Sequence, residues 1–334
     1  MNHAIDIFIV SLLVSQAMGN CVIAKPSELT PRTATALADI VNEAGVPRGV
    51  FNLLHGYGVE VGQAIIEHPK ITAISFTGGT VTGRKVAATA APMFKKLSLE
   101  LGGKNPTIVF GDCDLEQTVE GACRSAFTNS GQVCLAGSRV FVERSIYDEF
   151  VKRFVEKANK MVVGDPFDSN TQLGPVSSAG HLEKIMSYIR QAEEENGTIL
   201  CGGRKSPVVP SGFESGHFIR PTVIEGICVD SPVSKEEIFG PVCTVHPFSS
   251  EEELVASVNN VEYGLAGSIW TSDLSRAHRL AHKVRVGILW INCWLLRDLR
   301  TPFGGVKNSG MGREGGRHSL EFYSEYRNVC IKYA

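Results

Sequence analysis

From residue 20 the chain alternates short apolar runs with amphipathic ones. "CVIAK" (21–25) predicts a β-strand. "TPRTATALADIVNEAG" (30–45) predicts a helix, with Thr30 as N-cap, Pro31 in the first turn and Gly45 just past the end. The series continues with a strand at "GVFNLL" (49–54), a helix at "EVGQAIIEH" (60–68) and a strand at "ITAISF" (71–76). A helix at "RKVAATAA" (84–91) and a strand at "KKLSLEL" (95–101) follow. Strands alternating with helices over short loops predict an α/β fold with right-handed crossovers and a parallel sheet. Their continuously apolar character predicts a sheet covered on both faces. After Leu101 a second α/β lobe begins, with strands at "TIVF", "RVFVE" and "GILWIN" and helices over 145–161, 181–196 and 275–284. The Pro/Gly/Ser-rich patch 206–216 reads as a surface loop.

Length and composition narrow the picture. A chain of 334 residues suggests two domains or one domain with a large partner lobe. With 33 basic and 35 acidic residues, a net charge of −2 and no Lys/Arg stripe, nothing supplies the electrostatic footprint of a nucleic-acid binder. The apolar run Ile7–Val14 is too short to span a bilayer. Lacking a basic flank and a small-residue cleavage site, with Asp6 beside it, it reads as part of a buried helix rather than a leader. No membrane partner is expected. The nine cysteines are dispersed, without a C-x-x-C pair or zinc-like spacing, so no metal is expected and the setting reads as reducing and cytoplasmic.

Four stretches could carry chemistry. In "SFTGGTVTG" (75–83) a strand runs into Gly78 and Gly79, with Gly83 as the next helix starts. Such a turn lets a pyrophosphate approach the backbone and the positive helix end, although an ordinary tight βα turn has the same look. Lys25 and Glu28, in "KPSE", follow the first strand, where they could bond ribose hydroxyls or merely face solvent. In "LELGGKNP" (99–106), Glu100 ends an apolar strand against Leu101 and two glycines. Burial there would raise its pKa towards that of a useful general base; a pair with Lys104 is the plain alternative. In "GQVCLAGSR" (131–139), Cys134 sits among small residues, either as a buried small hydrophobe or as an accessible nucleophile. Two further stretches are "EEIFGPV" (236–242), with Glu237 and Phe239, and "NCWLLRDLRTPFGGVKNSGMGREGG" (292–316), with Trp294, Arg297 and Arg300.

Taken together and in order, "KPSELTP", "FTGGTVTG", "LELGGKNP", "GQVCLAGSR", "EEIFGPV" and "PFGGVKNSGMGREGG" resemble the aldehyde dehydrogenase superfamily over nearly the whole chain from about Gly19. The resemblance implies a Rossmann-like cofactor domain over 1–101, a catalytic domain over 102–307 and a return segment with an oligomerisation strand over 308–334. It implies NAD-dependent oxidation of an aldehyde to an acid through a thiohemiacetal and a thioester on Cys134, with Glu100 as general base. Lys25 and Glu28 match the adenosine-ribose contacts, and Gly78, Gly79 and Gly83 the pyrophosphate turn, where the family often has Ser at the second position. Leu101, Glu237 and Phe239 match positions that border the nicotinamide and its ribose. The run around Arg297 is closest to the aminomuconic and hydroxymuconic semialdehyde dehydrogenases, whose substrates carry carboxylates that an arginine fork suits; the plain alternative is a surface pair with Asp298.

Two departures qualify the expectation. The family's first third, with its W-N-x-P motif and an oxyanion-hole Asn, has no counterpart, and residues 1–18 fit poorly. The sequence therefore looks like a piece or product of a longer, homo-oligomeric enzyme. An inactive homologue that binds nucleotide or full-length subunits is the alternative expectation.

Overall fold

The computed structural model describes residues 13–205 and 207–333. Of the apolar run 7–14 only Leu13 and Val14 are therefore described; residues 13–17 are helical and Leu13 is exposed. The chain forms two compact units. One comprises the residues through Glu100, with 298–303 and 311 onward; the other comprises Leu101–Arg297 with Gly304–Gly310. The segment after residue 307 is thus shared between the units.

In the first unit, β1 (Val22–Ala24) and β2 (Phe51–Leu53) pair in parallel around helix α1 (Arg32–Glu43). Pro31, not Thr30, occupies the N-cap position, and no side chain caps the helix; a prolyl residue with helical φ and ψ starts the turn without a hydroxyl acceptor. Gly45 ends it as expected, at φ +75°, a left-handed conformation that glycine adopts without a Cβ penalty. Helix α2 (Gln63–Glu67) follows a wider π turn at Gly58–Gly62. Strands β3 (Ala73–Thr77) and β4 (Lys96–Glu100) pair in parallel, joined by α3 (Thr80–Ala90). These strands form two short sheets, not one. The expectation of burial on both faces fails for the first pair. Side chains alternate faces along a strand, so only Ala24 of β1 is buried, Ile23 stays exposed, and β2 is half-buried throughout.

The second unit is built on a seven-stranded sheet. Strand β5 (Pro106–Val109) leads through α4 (Leu115–Phe127) to β6 (Arg139–Glu143) and α5 (Tyr147–Asn159). Helix α6 (Ala179–Glu194), β7 (Thr198–Cys201), β8 (Thr222–Glu225), the short α7 (Pro232–Lys235) and β9 (Val242–Phe248) follow. Then come α8 (Glu251–Asn259), β10 (Tyr263–Gly264), β11 (Ala266–Trp270), α9 (Leu274–Lys283) and β12 (Ile288–Ile291). The order is β12-β11-β5-β6-β9-β8-β7, and every pairing is parallel except β7 with β8. Here both faces are covered. Val109, Val140, Val142 and Val245 pack with Ala122, Phe127, Phe150 and Phe154 of α4 and α5. Ile108, Phe141 and Ile269 pack with Leu254, Val258 and Leu280 of α8 and α9. The period of two along each strand separates these two cores. Side-chain caps start the main helices: Asp114 accepts from Gln117 N–H for α4, Ser178 from His181 N–H for α6 and Asp273 from Arg276 N–H for α9.

Candidate functional site

The candidate residues divide between the units. The first holds Lys25, Glu28, Gly78, Gly79, Gly83 and Glu100; the second holds Leu101, Cys134, Glu237, Phe239 and Arg297.

In the first unit the candidates stand at the carboxyl ends of parallel strands. Lys25 follows β1 and donates from its ammonium to Pro26 O (2.6 Å) and Gly56 O (3.0 Å), with the Glu28 carboxylate 3.7 Å away. Glu28 borders a cleft of about 490 Å³ together with Arg32, Thr35, Asp39 and His55; Gly78 and Gly79 lie outside its lining. At the end of β3, Gly78 N–H donates to Glu100 O (3.1 Å), tying the glycine turn to the end of β4. A Cβ on Gly78 would stand 2.6 Å from the tip of the Phe76 ring, which would have to shift, whereas one on Gly79 would meet nothing within 4 Å. Gly79 is the N-cap of α3 in extended conformation and offers no side-chain acceptor to the first-turn N–H groups. Such an N-terminus suits an anion. Gly83 is buried one turn into α3. Glu100 is 2% exposed.

In the second unit Leu101, Cys134, Glu237 and Phe239 lie ahead of the amino ends of strands, whereas Arg297 follows β12. Cys134 and Leu135 form a turn ahead of β6, closed by Ala136 N–H donating to Val133 O (2.9 Å). Cys134 is half-buried between buried neighbours. The thiols of Cys123 and Cys201 are pushed up by burial to about 12 and about 11, and Cys243 is raised well above its ordinary value. Those three are poor nucleophiles.

The loop Leu101–Asn105 lies between Cys134 and Glu237. Leu101 is buried, and Gly103 N–H donates to Glu237 Oε1 (3.1 Å). A Cβ on Gly103 would fall 2.5 Å from Cys134 O, and one on Gly102 would fall 2.4 Å from Glu237 Oε2. Close approach of backbone therefore requires a glycine at 103, while a side chain at 102 would displace the Glu237 carboxylate. Burial raises the Glu237 carboxyl above its usual range, opposed by the Gly103 N–H and the charges of Lys184 and Lys104. Lys104 is itself buried, and its ammonium donates to Val233 O (2.8 Å). Burial, with Arg139 nearby, depresses it to about 7.

Sequence reasoning missed how helix α6 holds the segment that carries Glu237. Tyr188 OH donates to Glu236 Oε2 (2.5 Å), Lys184 Nζ to Glu237 O (2.9 Å) and His181 Nε2–H to Phe239 O (2.7 Å). The His181 ring also meets the Phe239 ring edge-on at 6.0 Å, and Phe239 sits at φ +60°, a left-handed conformation that the surroundings must enforce. The positions 181, 184 and 188 share one helix face, so their spacing was the available signal.

Arg297 is exposed. The Asp298 carboxylate expected as its surface partner is held by Arg300, whose Nε donates at 2.9 Å and Nη2 at 2.5 Å. Trp294 is buried, with its indole N–H donating to Leu135 O (3.0 Å). Among the described residues no cluster of His, Cys, Asp and Glu could hold a metal, and no helix is long and apolar enough to cross a membrane.

Comparison with known proteins bears on this arrangement. The aldehyde dehydrogenase family model matches residues 2–329. The chain is 50% identical over 317 residues to the 2-hydroxymuconic semialdehyde dehydrogenase of Pseudomonas putida, covering 95% of this chain and 65% of that one. It is 49% identical over 318 residues to the 2-aminomuconic semialdehyde dehydrogenase of Mus musculus, again 95% and 65%. The chain thus spans less than two thirds of the length of these relatives. The crystal structure of betaine aldehyde dehydrogenase from Staphylococcus aureus in complex with NAD+ is similar at a TM-score of 0.88 and 40% identity, over 91% of this chain and 60% of that one. A match along nearly the whole sequence, with the same α/β architecture, leaves one conclusion: the chain belongs to the aldehyde dehydrogenase family.

Proposed function

We propose that the chain carries out NAD-dependent oxidation of an aldehyde to a carboxylic acid, with Cys134 as nucleophile, and that the aldehyde is a carboxylated semialdehyde of the muconic type. The observation that carries the reading is the Leu101–Asn105 loop, whose glycines bring the Cys134 turn and the Glu237 carboxylate against one stretch of backbone.

The residues present fit a dinucleotide. Gly79 is open above the start of α3, where a pyrophosphate would rest on first-turn N–H groups. Glu28 would accept from the adenosine ribose, and its negative charge disfavours a 2′-phosphate there. Glu237 would accept from the nicotinamide ribose, with Phe239 against the ring. When bound, the cofactor supplies a two-electron acceptor for the hydride.

The chain's own part is nucleophilic catalysis in two stages. The Cys134 thiolate attacks the carbonyl carbon; the C–S bond forms as the carbonyl π pair moves to oxygen. Collapse of that oxyanion re-forms the carbonyl and releases the C–H electron pair as hydride, leaving a thioester. Glu100 then takes a proton from water, whose oxygen attacks the thioester and displaces the thiolate as the carboxylic acid forms. Arg297 would hold the distal carboxylate of the substrate, a role its planar fork suits. The names of the two semialdehyde dehydrogenases support this substrate class.

The test is NADH formation by the purified chain with NAD and a muconic-type semialdehyde, alongside Cys134→Ala. The expected result is turnover in the parent and none in the variant, with NAD affinity unchanged. Turnover retained by Cys134→Ala, or none in the parent with any aldehyde, overturns the reading.

A further inference from the structure

Three consecutive carbonyls of the Cys134 turn are held by side chains remote in sequence. Asn105, 3% exposed at the amino end of β5, donates from Nδ2 to Cys134 O (2.7 Å) and to Ala136 O (2.9 Å). The carbonyl between them, Leu135 O, accepts from the Trp294 indole (3.0 Å). The other end of the Asn105 amide is fixed as well, since Oδ1 accepts from Ala266 N–H (3.0 Å) at the start of β11. Only this orientation of the amide works: two carbonyls face one end and an N–H faces the other. The main chain of Asn105 joins in, its carbonyl accepting from Arg139 N–H (3.2 Å) where β6 begins. One buried residue therefore ties β5, β6 and β11 to the carbonyls of the two residues that flank Leu135.

We propose that Asn105 is a positioning residue for the Cys134 thiol: its amide locks the turn so that the thiol is presented in a single orientation. The inference rests on Cys134 being the nucleophile, but its geometry can be tested without turnover. An alanine at 105 removes both bonds donated to the turn and the acceptor of Ala266 N–H. Cys134 O and Ala136 O then lose the Asn105 donor, Ala136 O still accepting from Ser138 N–H (3.0 Å), and the turn gains access to orientations that the amide excludes. Two lost hydrogen bonds correspond to a shift of roughly ten-fold or more in the turn's conformational equilibrium. A half-buried thiol on a loosened turn becomes easier for a small reagent to reach. It also becomes harder to aim at a carbonyl carbon, so the two readouts should move in opposite directions.

The experiment measures iodoacetamide alkylation of each cysteine in the purified chain, resolved by peptide mass spectrometry, for the parent, Asn105→Ala, Asn105→Ser and Asn259→Ala. Asn259 is the control: it also makes two side-chain bonds to backbone, to Lys283 O and from Arg285 N–H, at a half-buried position. For Asn105→Ala the expected result is a rise of about five-fold or more at Cys134, while Cys123 and Cys243, both buried, stay protected. Asn105→Ser, with one shorter donor, falls between; Asn259→Ala leaves Cys134 at the parent rate. Where the chain turns over, kcat falls about ten-fold or more in Asn105→Ala with the Kd for NAD unchanged. A Cys134 rate within two-fold of the parent in both Asn105 variants overturns the proposal. So does a rise at Cys134 that Cys123 and Cys243 share, since that reports general loosening. Should Asn105→Ala fail to fold, Asn105→Ser decides by the same criteria. Failure of the nucleophile reading shows up separately, as activity surviving Cys134→Ala.

Discussion

Lys104→Met isolates the cost of burying an ammonium group beside the candidate site. Lys104 is 2% exposed, and its ammonium has Val233 O as acceptor with the positive charge of Arg139 close by. Burial depresses it from 10.5 to about 7. The sign follows from proton counting. In the unfolded chain the lysine keeps its proton up to about pH 10.4. The folded protein releases it near 7, so between those values the unfolded state binds more protons and stability rises with pH. The slope is about 1.4 kcal/mol per pH unit, giving about 2 kcal/mol between about pH 7 and about pH 8.5. The window stops there because Arg139, depressed to about 9 by its own burial, begins to contribute above it. Below 7 the lysine is charged in both states and adds no slope. The assay is urea denaturation of the parent and Lys104→Met at a series of pH values and constant ionic strength. Methionine keeps the aliphatic stem and removes only the titrating group, so the other groups around the site, Glu237, Lys184 and Cys243, cancel in the difference to first order. The stability difference, parent minus variant, should be flat up to about 7 and then climb as calculated. A difference that stays flat through about pH 8.5, or falls, would refute the reasoning, because it would mean that Lys104 holds its proton in the folded state.

Two predictions concern the proposed reaction. Glu100→Gln should give a burst of NADH equal to the active sites and then stall with an acyl group on Cys134, read by quenched-flow and intact-protein mass spectrometry; steady turnover at the parent rate would remove Glu100 from the deacylation step. Arg297→Leu should lower kcat/KM for a carboxylated semialdehyde by roughly ten- to a hundred-fold, the worth of a charge-assisted hydrogen bond, and leave a neutral aldehyde of similar length nearly unaffected; an equal loss for both substrates would assign the arginine a structural role.

The strands and helices were legible because their apolar periods are local. The second-lobe helices are found within a few residues of their expected spans, and β5, β6 and β12 stand where the apolar runs fall. What the runs could not reveal was cover. β1 and β2 read as apolar as β5 and β6, yet Ile23 is exposed while Val140, Phe141 and Val142 are buried, because burial depends on which helices pack over a strand. Residue preference favours Thr30 as N-cap, whereas the backbone places the cap one residue later, at a proline. The motifs that mark Cys134, Glu100 and Glu237 as candidates are short and contiguous, so a one-dimensional reading can single them out. The side chains that hold the Cys134 turn are not: Asn105 and Trp294 lie 29 and 159 residues from Cys134 O and Leu135 O.

Strand direction was the other hidden variable, and it explains why the organising residues were missed. In open α/β sheets ligands bind beyond the carboxyl ends of parallel strands. The candidates of the first unit stand where that rule looks, with Lys25 after β1, Gly78 and Gly79 after β3, and Glu100 closing β4. In the second unit the loop Leu101–Asn105 precedes β5, Cys134 precedes β6, and Glu237 and Phe239 precede β9. A reader applying the rule would look after Val109, Glu143 and Phe248, where the structure instead has Asp112 bonded to Thr271 and Arg276 and a Glu143 carboxylate accepting from Gly111 N–H. Those contacts anchor loops and helix starts. The amino ends offer what the candidate chemistry needs: backbone entering the sheet through glycines that admit close approach, and carbonyls that a buried amide can gather. The Cys134 turn is held at Cys134 O, Leu135 O and Ala136 O by Asn105 and Trp294, an anchoring that the small size of its neighbours does not announce. It becomes visible only once β5, β6 and β11 lie side by side.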